Sequence, residues 1–363
     1  MIIEILAAAS GGYQLLATIA CLAFRKGPGA RGQEEKTRRQ GPGASILKPV
    51  HGVDSALRDA IRSHTQLEGE YELLCGVRPG DPAAELIAEF PTVKMVECNT
   101  VTPNRKVGSL IDLARAARYP ILIVNDADIR VDPDYLARVT EPLSDPNVGL
   151  VTCMFRPEGD TPAARFEALG VATDLVPSMI VARALGVKDF ASGATMAFRR
   201  ADLDRIGGFE AIADYLADDY QLGHRIHGLG LKCVLSDVIV ATHLGGDWTA
   251  VWTHQVRWAR TVRVSKFWGY AGLPLAFASV WALALAVAGE WVWAGALLAV
   301  RMAMATAGGW VVLRSPDVPR MWPLIPFRDL LTAAAWLVGL FGKTVTWRGR
   351  TLALDGEGRI RPD

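Results

Sequence analysis

Cysteine is scarce in this chain: five residues in 363, at positions 21, 75, 98, 153 and 233, with no CxxC spacing. An odd, scattered set rules against a disulfide framework and against a cysteine-based zinc site, and leaves buried free thiols. A charge bias is missing as well. Thirty-nine Lys and Arg face 38 Asp and Glu, so nothing in the balance points to a nucleic-acid partner. No internal repeat is visible. The one stretch of low complexity is residues 25–44, rich in Gly and Pro and basic.

Apolar residues are plentiful, half of the chain, but unevenly placed. Residues 2–24, IIEILAAASGGYQLLATIACLAF, carry a single charge, Glu4. That length suits a hydrocarbon layer of about 30 Å. A cleaved signal peptide would begin with cations, whereas here the cations follow, so the segment is read as an anchor. The surplus of Lys and Arg in 25–44 places that linker, and with it the central domain, in the cytoplasm. Hydrophobicity returns after residue 270. Segments 271–289 and 291–313 are expected to be membrane helices, although Arg301 near the centre of the second must face protein or water. A third, 329–347, has a shorter apolar part. The basic WRGR at 347–350 calls for an even number of crossings, so the third segment is expected to be re-entrant or interfacial. The organisation expected is an anchor (1–24), a linker (25–44), a catalytic domain (45–253), an interfacial helix (254–270), membrane helices (271–347) and a polar tail (348–363).

Between 45 and 250, strand-like runs alternate with helix-like ones. Strands are expected at 45–50, 71–77, 93–98, 120–125, 149–153, 193–198 and 232–244. Helices are expected at 54–66, 82–90, 105–118, 133–143, 161–175, 200–206 and 216–229. This alternation indicates an α/β domain with a mostly parallel sheet, in which ligands gather at the carboxyl ends of strands.

At one such end the apolar PILIV runs into VNDADIRVDPD (124–134), four aspartates in a short space. Asp126 and Asp128, two apart on an extended chain, would point the same way. Paired carboxylates suit a hard divalent cation that bridges to a diphosphate; a solvated turn is the plain alternative. Asp132 before Pro133 reads as a helix N-cap, with Asp134 in the first turn. Asp81 follows another strand, where it could meet a nucleotide or cap a helix. Asp218 and Asp219 open a helix, as a favourable charge at its dipole or as a general base. In HQVRW (254–258), Arg257 and Trp258 lie beside the first C-terminal membrane segment. They could serve a phosphate and a stacking surface or simply belong to an interfacial helix. His224 and His243 are read as structural.

Taken in order, SILKPVHGVD, YELLCGVRPGDP, NRKVGSL, VNDADIRV, FASGATMAFRR, LADDYQLG and HQVRWAR resemble glycosyltransferase family 21, which holds the ceramide glucosyltransferases and bacterial enzymes associated with hopanoid biosynthesis. The resemblance implies a GT-A fold for the nucleotide-sugar-binding domain, a UDP-sugar donor, a divalent cation (Mg2+ or Mn2+) and inverting transfer to a membrane lipid. It assigns Asp81 to the nucleotide and Asp126 to the metal and diphosphate, with Asp128 beside it. Asp219 becomes the general base, and Arg257 and Trp258 the RW of the closing motif. His254 stands where that motif has Gln or Arg. No role follows for Asn104–Lys106. The Ala- and Arg-rich composition leans towards the hopanoid-associated branch in a bacterial inner membrane. A processive polysaccharide synthase and a membrane-bound nucleotide-sugar-binding protein without turnover are the alternatives.

Overall fold

The computed structural model describes residues 1–25 and 43–361. The expected linker at 25–44 lies almost wholly outside the described residues. The chain forms two compact units. One is an α/β unit built from residues 43–155, 187–243 and 359–361, and the other a helical unit built from 1–25, 156–186 and 244–358. Residues 156–186, which follow the sheet in sequence and were expected within the catalytic domain, therefore fold with the helices.

The α/β unit carries a seven-stranded sheet in the order β3-β2-β1-β4-β6-β5-β7. In chain order these are β1 (Ala44–Pro49), β2 (Tyr71–Val77), β3 (Val93–Glu97), β4 (Ile121–Val124), β5 (Val148–Gly159), β6 (Met196–Arg199) and β7 (Lys232–Leu244). β3, β2, β1 and β4 run parallel, and β6 is antiparallel to both β4 and β5. Neighbouring residues on the inner strands serve opposite faces. Ile46, Leu73, Ile121 and Ile123 enter one core, while Leu47, Leu74, Leu122 and Val124 enter the other. A sheet covered on both sides needs apolar residues at every position, which is why these strands read as unbroken hydrophobic runs. Cys75, Cys98, Cys153 and Cys233 are buried free thiols within it.

Two boundaries differ from expectation for identifiable reasons. The helix after the aspartate-rich stretch begins at Tyr135, so Asp132 is not its N-cap. The Pro133 carbonyl instead accepts the Glu68 N–H, which holds 132–133 in a turn before the helix starts. β6 begins at Met196, because the Gly193 N–H bonds to a carboxylate rather than to a strand. The strand expected at 232–244 forms over that whole span.

Among the described residues of the helical unit, two helices are long and apolar enough to cross a membrane, Ile2–Phe24 and Trp291–Val312. A third span arises if Phe267–Ala276 and Ala278–Val287, bent by 50°, count as one. Segment 329–347 differs from the helix expected there. Its helix, Ile325–Gly339, stops at a break with Gly342 at φ 82°, and the β-branched Thr344–Trp347 pairs as a hairpin strand with Arg350–Ala353. The expected polar tail, 348–363, thus contributes a strand. Arg301 is fully buried, with its guanidinium on both oxygens of Asp329 at 2.6 and 2.8 Å.

Candidate functional site

The carboxyl ends of β2, β1 and β4 lie side by side, and the loops leaving them hold three of the expected residues or their anchors. Lys48, near the end of β1, is buried and donates to the carbonyls of Asp126, Ala127 and Ile129 at 2.7, 3.2 and 3.3 Å. One ammonium thus fixes the backbone of the whole aspartate loop. Burial pulls the Lys48 pKa down to about 8.

That loop is a turn, closed by the Ile129 N–H on the Asp126 carbonyl, and not an extended strand. The side chains of Asp126 and Asp128 consequently part. Asp128 turns to β7, where the Thr242 hydroxyl and the His243 N–H bond its carboxylate. Burial, then the neighbouring Asp126, raise its pKa. Asp126 turns the other way and ion-pairs with Lys106 at 2.8 Å, its side chain 41% exposed.

Lys106 gathers the rest. Its ammonium lies 3.1 Å from Asp218 Oδ2, an ion pair at an angle that leaves that oxygen without a hydrogen bond. Burial works to lower its pKa, but the charges of Asp126, Asp218 and Asp219 outweigh it and hold the ammonium well above the ordinary lysine value. The helix Arg105–Ala116 presents this lysine in its first turn. Asn104 caps the helix through the N–H groups of Lys106 and Val107, while its own amide donates to the Tyr215 carbonyl at 2.8 Å. A single side chain therefore joins the Lys106 helix to the segment that leads into Asp218 and Asp219.

Asp219 accepts the N–H of Gly193 at 2.9 Å on one oxygen and that of Tyr220 at 2.7 Å on the other. Burial, with the charge of Asp218 added, pushes its pKa up to about 6. Gly193 is the hub of the arrangement. A Cβ there would stand 3.1 Å from Asp126 Oδ2, 3.5 Å from Asp219 Oδ2 and 3.5 Å from Lys106 Nζ. Asp126 and Asp219, 93 positions apart in the sequence, thus flank one point.

Asp81 serves the loop after β1. Its carboxylate accepts from the Gly52 N–H, from the Ala83 N–H at the following helix, and meets His51 Nδ1 at 3.0 Å. Burial opposes its charge, yet these donors keep its pKa below the usual range. Asp81 stands past the end of β2 and meets the first N–H of the following helix, whose N-cap position is Pro82.

Arg257 and Trp258 belong to the helical unit, on the helix Trp248–Ser265. His254 Nδ1 meets Glu167 Oε1 at 2.7 Å, and its ring lies 4.3 Å from that of Trp258.

Sequence reasoning gave no role to Lys106 or Gly193 and did not single out Lys48 or Glu167. The signals were present in NRK, SGAT and SILKP, but only the fold shows that they meet the aspartates.

The sequence model of glycosyl transferase family 21 matches residues 2–360. The chain belongs to that family. Ceramide glucosyltransferases 1 and 3 of Caenorhabditis elegans are 31% and 30% identical over 206 and 211 residues. Those matches take in 54% of this chain but only 44% and 45% of the relatives, so the chain spans less than half of their length. Among solved structures, the mannosyltransferase PcManGT from Pyrobaculum calidifontis, in complex with GDP-Man and Mn2+, is similar with a TM-score of 0.54 at 20% identity, covering 93% of this chain and 98% of that one. The likeness shows a shared GT-A-type fold. Family 21 membership accounts for the motif order, and the two span-length helices are consistent with membrane association.

Proposed function

We propose that this family 21 member is a membrane-bound inverting glycosyltransferase. It moves one sugar from a UDP-sugar to a hydroxyl of a membrane lipid, a hopanoid such as bacteriohopanetetrol or a ceramide. The observation that carries the reading is the convergence of Asp126, Asp219 and Lys106 on Gly193 at the carboxyl ends of the strands. The catalytic unit is taken to face the cytoplasm of a bacterial inner membrane, on the cations at 25–44.

Asp219 is the general base. A carboxyl held near pKa 6 is largely ionised at neutral pH yet basic enough to take a proton in the transition state. As the acceptor oxygen bonds to the anomeric carbon, its proton passes to Asp219, and the bond from that carbon to the diphosphate breaks on the opposite side. One direct displacement inverts the centre. Lys106 orients Asp126 and offsets the charge gathered by three aspartates. Asp81 is placed at the nucleotide, and Arg257 and Trp258 enter as substrate-binding residues on the motif alone.

The residues fit a divalent cation in one respect. The half-exposed Asp126 is a hard oxygen donor, and Mg2+ commonly takes one or two carboxylates with substrate phosphates. Asp128 spends only Oδ2 on Thr242 and His243, which leaves its Oδ1 as a further oxygen donor beside Asp126. A bound cation would neutralise the departing diphosphate.

Purified protein in nanodiscs, given radiolabelled UDP-glucose or UDP-N-acetylglucosamine with ceramide or bacteriohopanetetrol, should yield a lipid bearing a single sugar. A polymer would identify a polysaccharide synthase, and binding without product a nucleotide-sugar-binding protein.

A further inference from the structure

Glu167 is buried in the helical unit, its side chain 3% exposed, with no part in the chemistry above. One of its oxygens, Oε1, takes two neighbours from the helix Trp248–Ser265: the Gln255 amide donates to it at 2.7 Å, and His254 Nδ1 lies at 2.7 Å. Gln255 Oε1 in turn accepts from Arg328 at 2.8 Å. Arg328 also donates to the Phe166 carbonyl at 3.1 Å and to Thr332. A Cβ at Gly170 would overlap the Arg328 guanidinium, so that glycine is what lets the side chain lie against the helix Pro162–Gly170.

This chain of contacts grips the helix Trp248–Ser265 at two adjacent residues, which fixes its rotation about its own axis. His254 is the more telling of the two. Arg257 and Trp258 lie three and four positions further on, one turn along the same face. The imidazole already touches the Trp258 ring. Packing alone would be served by the buried Gln255, whereas His254 is 23% exposed and ties a buried carboxylate to a partly buried aromatic ring.

We infer that Glu167 and His254 are positioning residues: together they set the orientation of Trp258, and with it the Arg257–Trp258 pair. The role of that pair in substrate binding rests on the function proposed above, but the orientation itself does not.

The test uses the full chain in nanodiscs with 5-fluorotryptophan, the Trp258 signal being assigned by Trp258→Phe. Glu167→Ala should shift or broaden the Trp258 fluorine resonance, while Glu167→Gln, which keeps an acceptor oxygen, should leave it near its original place. Ser279→Ala, which weakens the separate Asp329 cluster, should lower thermal stability without moving the signal. In transfer assays, His254→Ala should lower kcat about tenfold with the donor KM within about twofold, and His254→Gln should recover most of the loss. A Trp258 resonance indifferent to Glu167→Ala overturns the inference, whatever the activity. So does an activity loss in His254→Ala that only tracks the folded fraction. If Glu167→Ala does not fold, the His254 pair decides by the same criterion. Should the native chain transfer no sugar, the functional reading fails while the fluorine signal still judges the positioning.

Discussion

Gly193 illustrates how much a missing side chain can matter. Its φ is not in the left-handed region, so alanine meets no backbone strain there. The obstacle is local crowding, with Asp126 Oδ2 3.1 Å from the added methyl. The Asp126 carboxylate must give by a few tenths of an ångström, and reacting groups tolerate little displacement. Gly193→Ala should therefore fold normally and lose about 10- to 100-fold in kcat. The check is a comparison of melting temperature with transfer rate. Asp219 makes a second prediction. It acts in its ionised form, and its raised pKa means that this form accumulates as pH climbs through about 6. The transfer rate should rise with pH across that region and then level off. Asp219→Asn should bind donor by calorimetry while transfer falls by about 100- to 10,000-fold, the range for a general base.

Single polar side chains hold the aspartate loop and the cap of the Lys106 helix. Lys48 satisfies three carbonyls, and Asn104 joins a helix cap to the Tyr215 carbonyl. Lys48→Met would preserve length and strand packing but leave the Ala127 and Ile129 carbonyls without that donor, at about 1–3 kcal/mol for each one that water does not reach, while the Asp126 carbonyl keeps the Ile129 N–H. The expected result is a clear drop in urea midpoint with a loosened loop, seen as faster amide exchange at 126–129. These same elements show what could be read beforehand. Strands β1, β2 and β4 were legible because a doubly covered sheet demands continuous apolar runs, and Asp219 was legible as the acid opening a helix. The divergence of Asp126 and Asp128 was not. Alternation predicts a shared direction only while the chain stays extended, and whether it turns after Val124 depends on Lys48, 78 positions earlier. Asp132 failed as an N-cap for a related reason, since a tertiary bond from Glu68 decides where that helix begins. Lys106 went unassigned because its meaning lies in three carboxylates brought from elsewhere in the sequence.

Hydropathy describes the chain as a whole poorly where it matters most. The helical unit contains its longest apolar runs, yet Arg301, Arg328 and Asp329 are among its most completely buried residues. Adjacent on the helix Ile325–Gly339, Arg328 and Asp329 work in different directions. Arg328 reaches Gln255 and Phe166, and Asp329 takes Arg301 and Ser279. Arg301 also meets Asp174 at 2.7 Å and the Thr173 carbonyl at 3.0 Å. The sequence raised the cost of a charge at Arg301 and named the condition for tolerating it, a protein partner; the structure supplies Asp329. An arrangement of this kind is unequal under mutation. Removing one partner strands the other charge in an apolar interior, at about 3–5 kcal/mol, whereas replacing both by apolar side chains of similar size removes the desolvation cost along with the attraction. Arg301→Met and Asp329→Leu should each lower the unfolding midpoint of the detergent-solubilised protein sharply. The double variant should recover a large part of the loss, incompletely, because Asp174 and Ser279 would still lack their partner. A double variant no better than the sum of the two singles would mean that the pair is not an energetic unit, and that Arg301 is held chiefly by Asp174 and the Thr173 carbonyl.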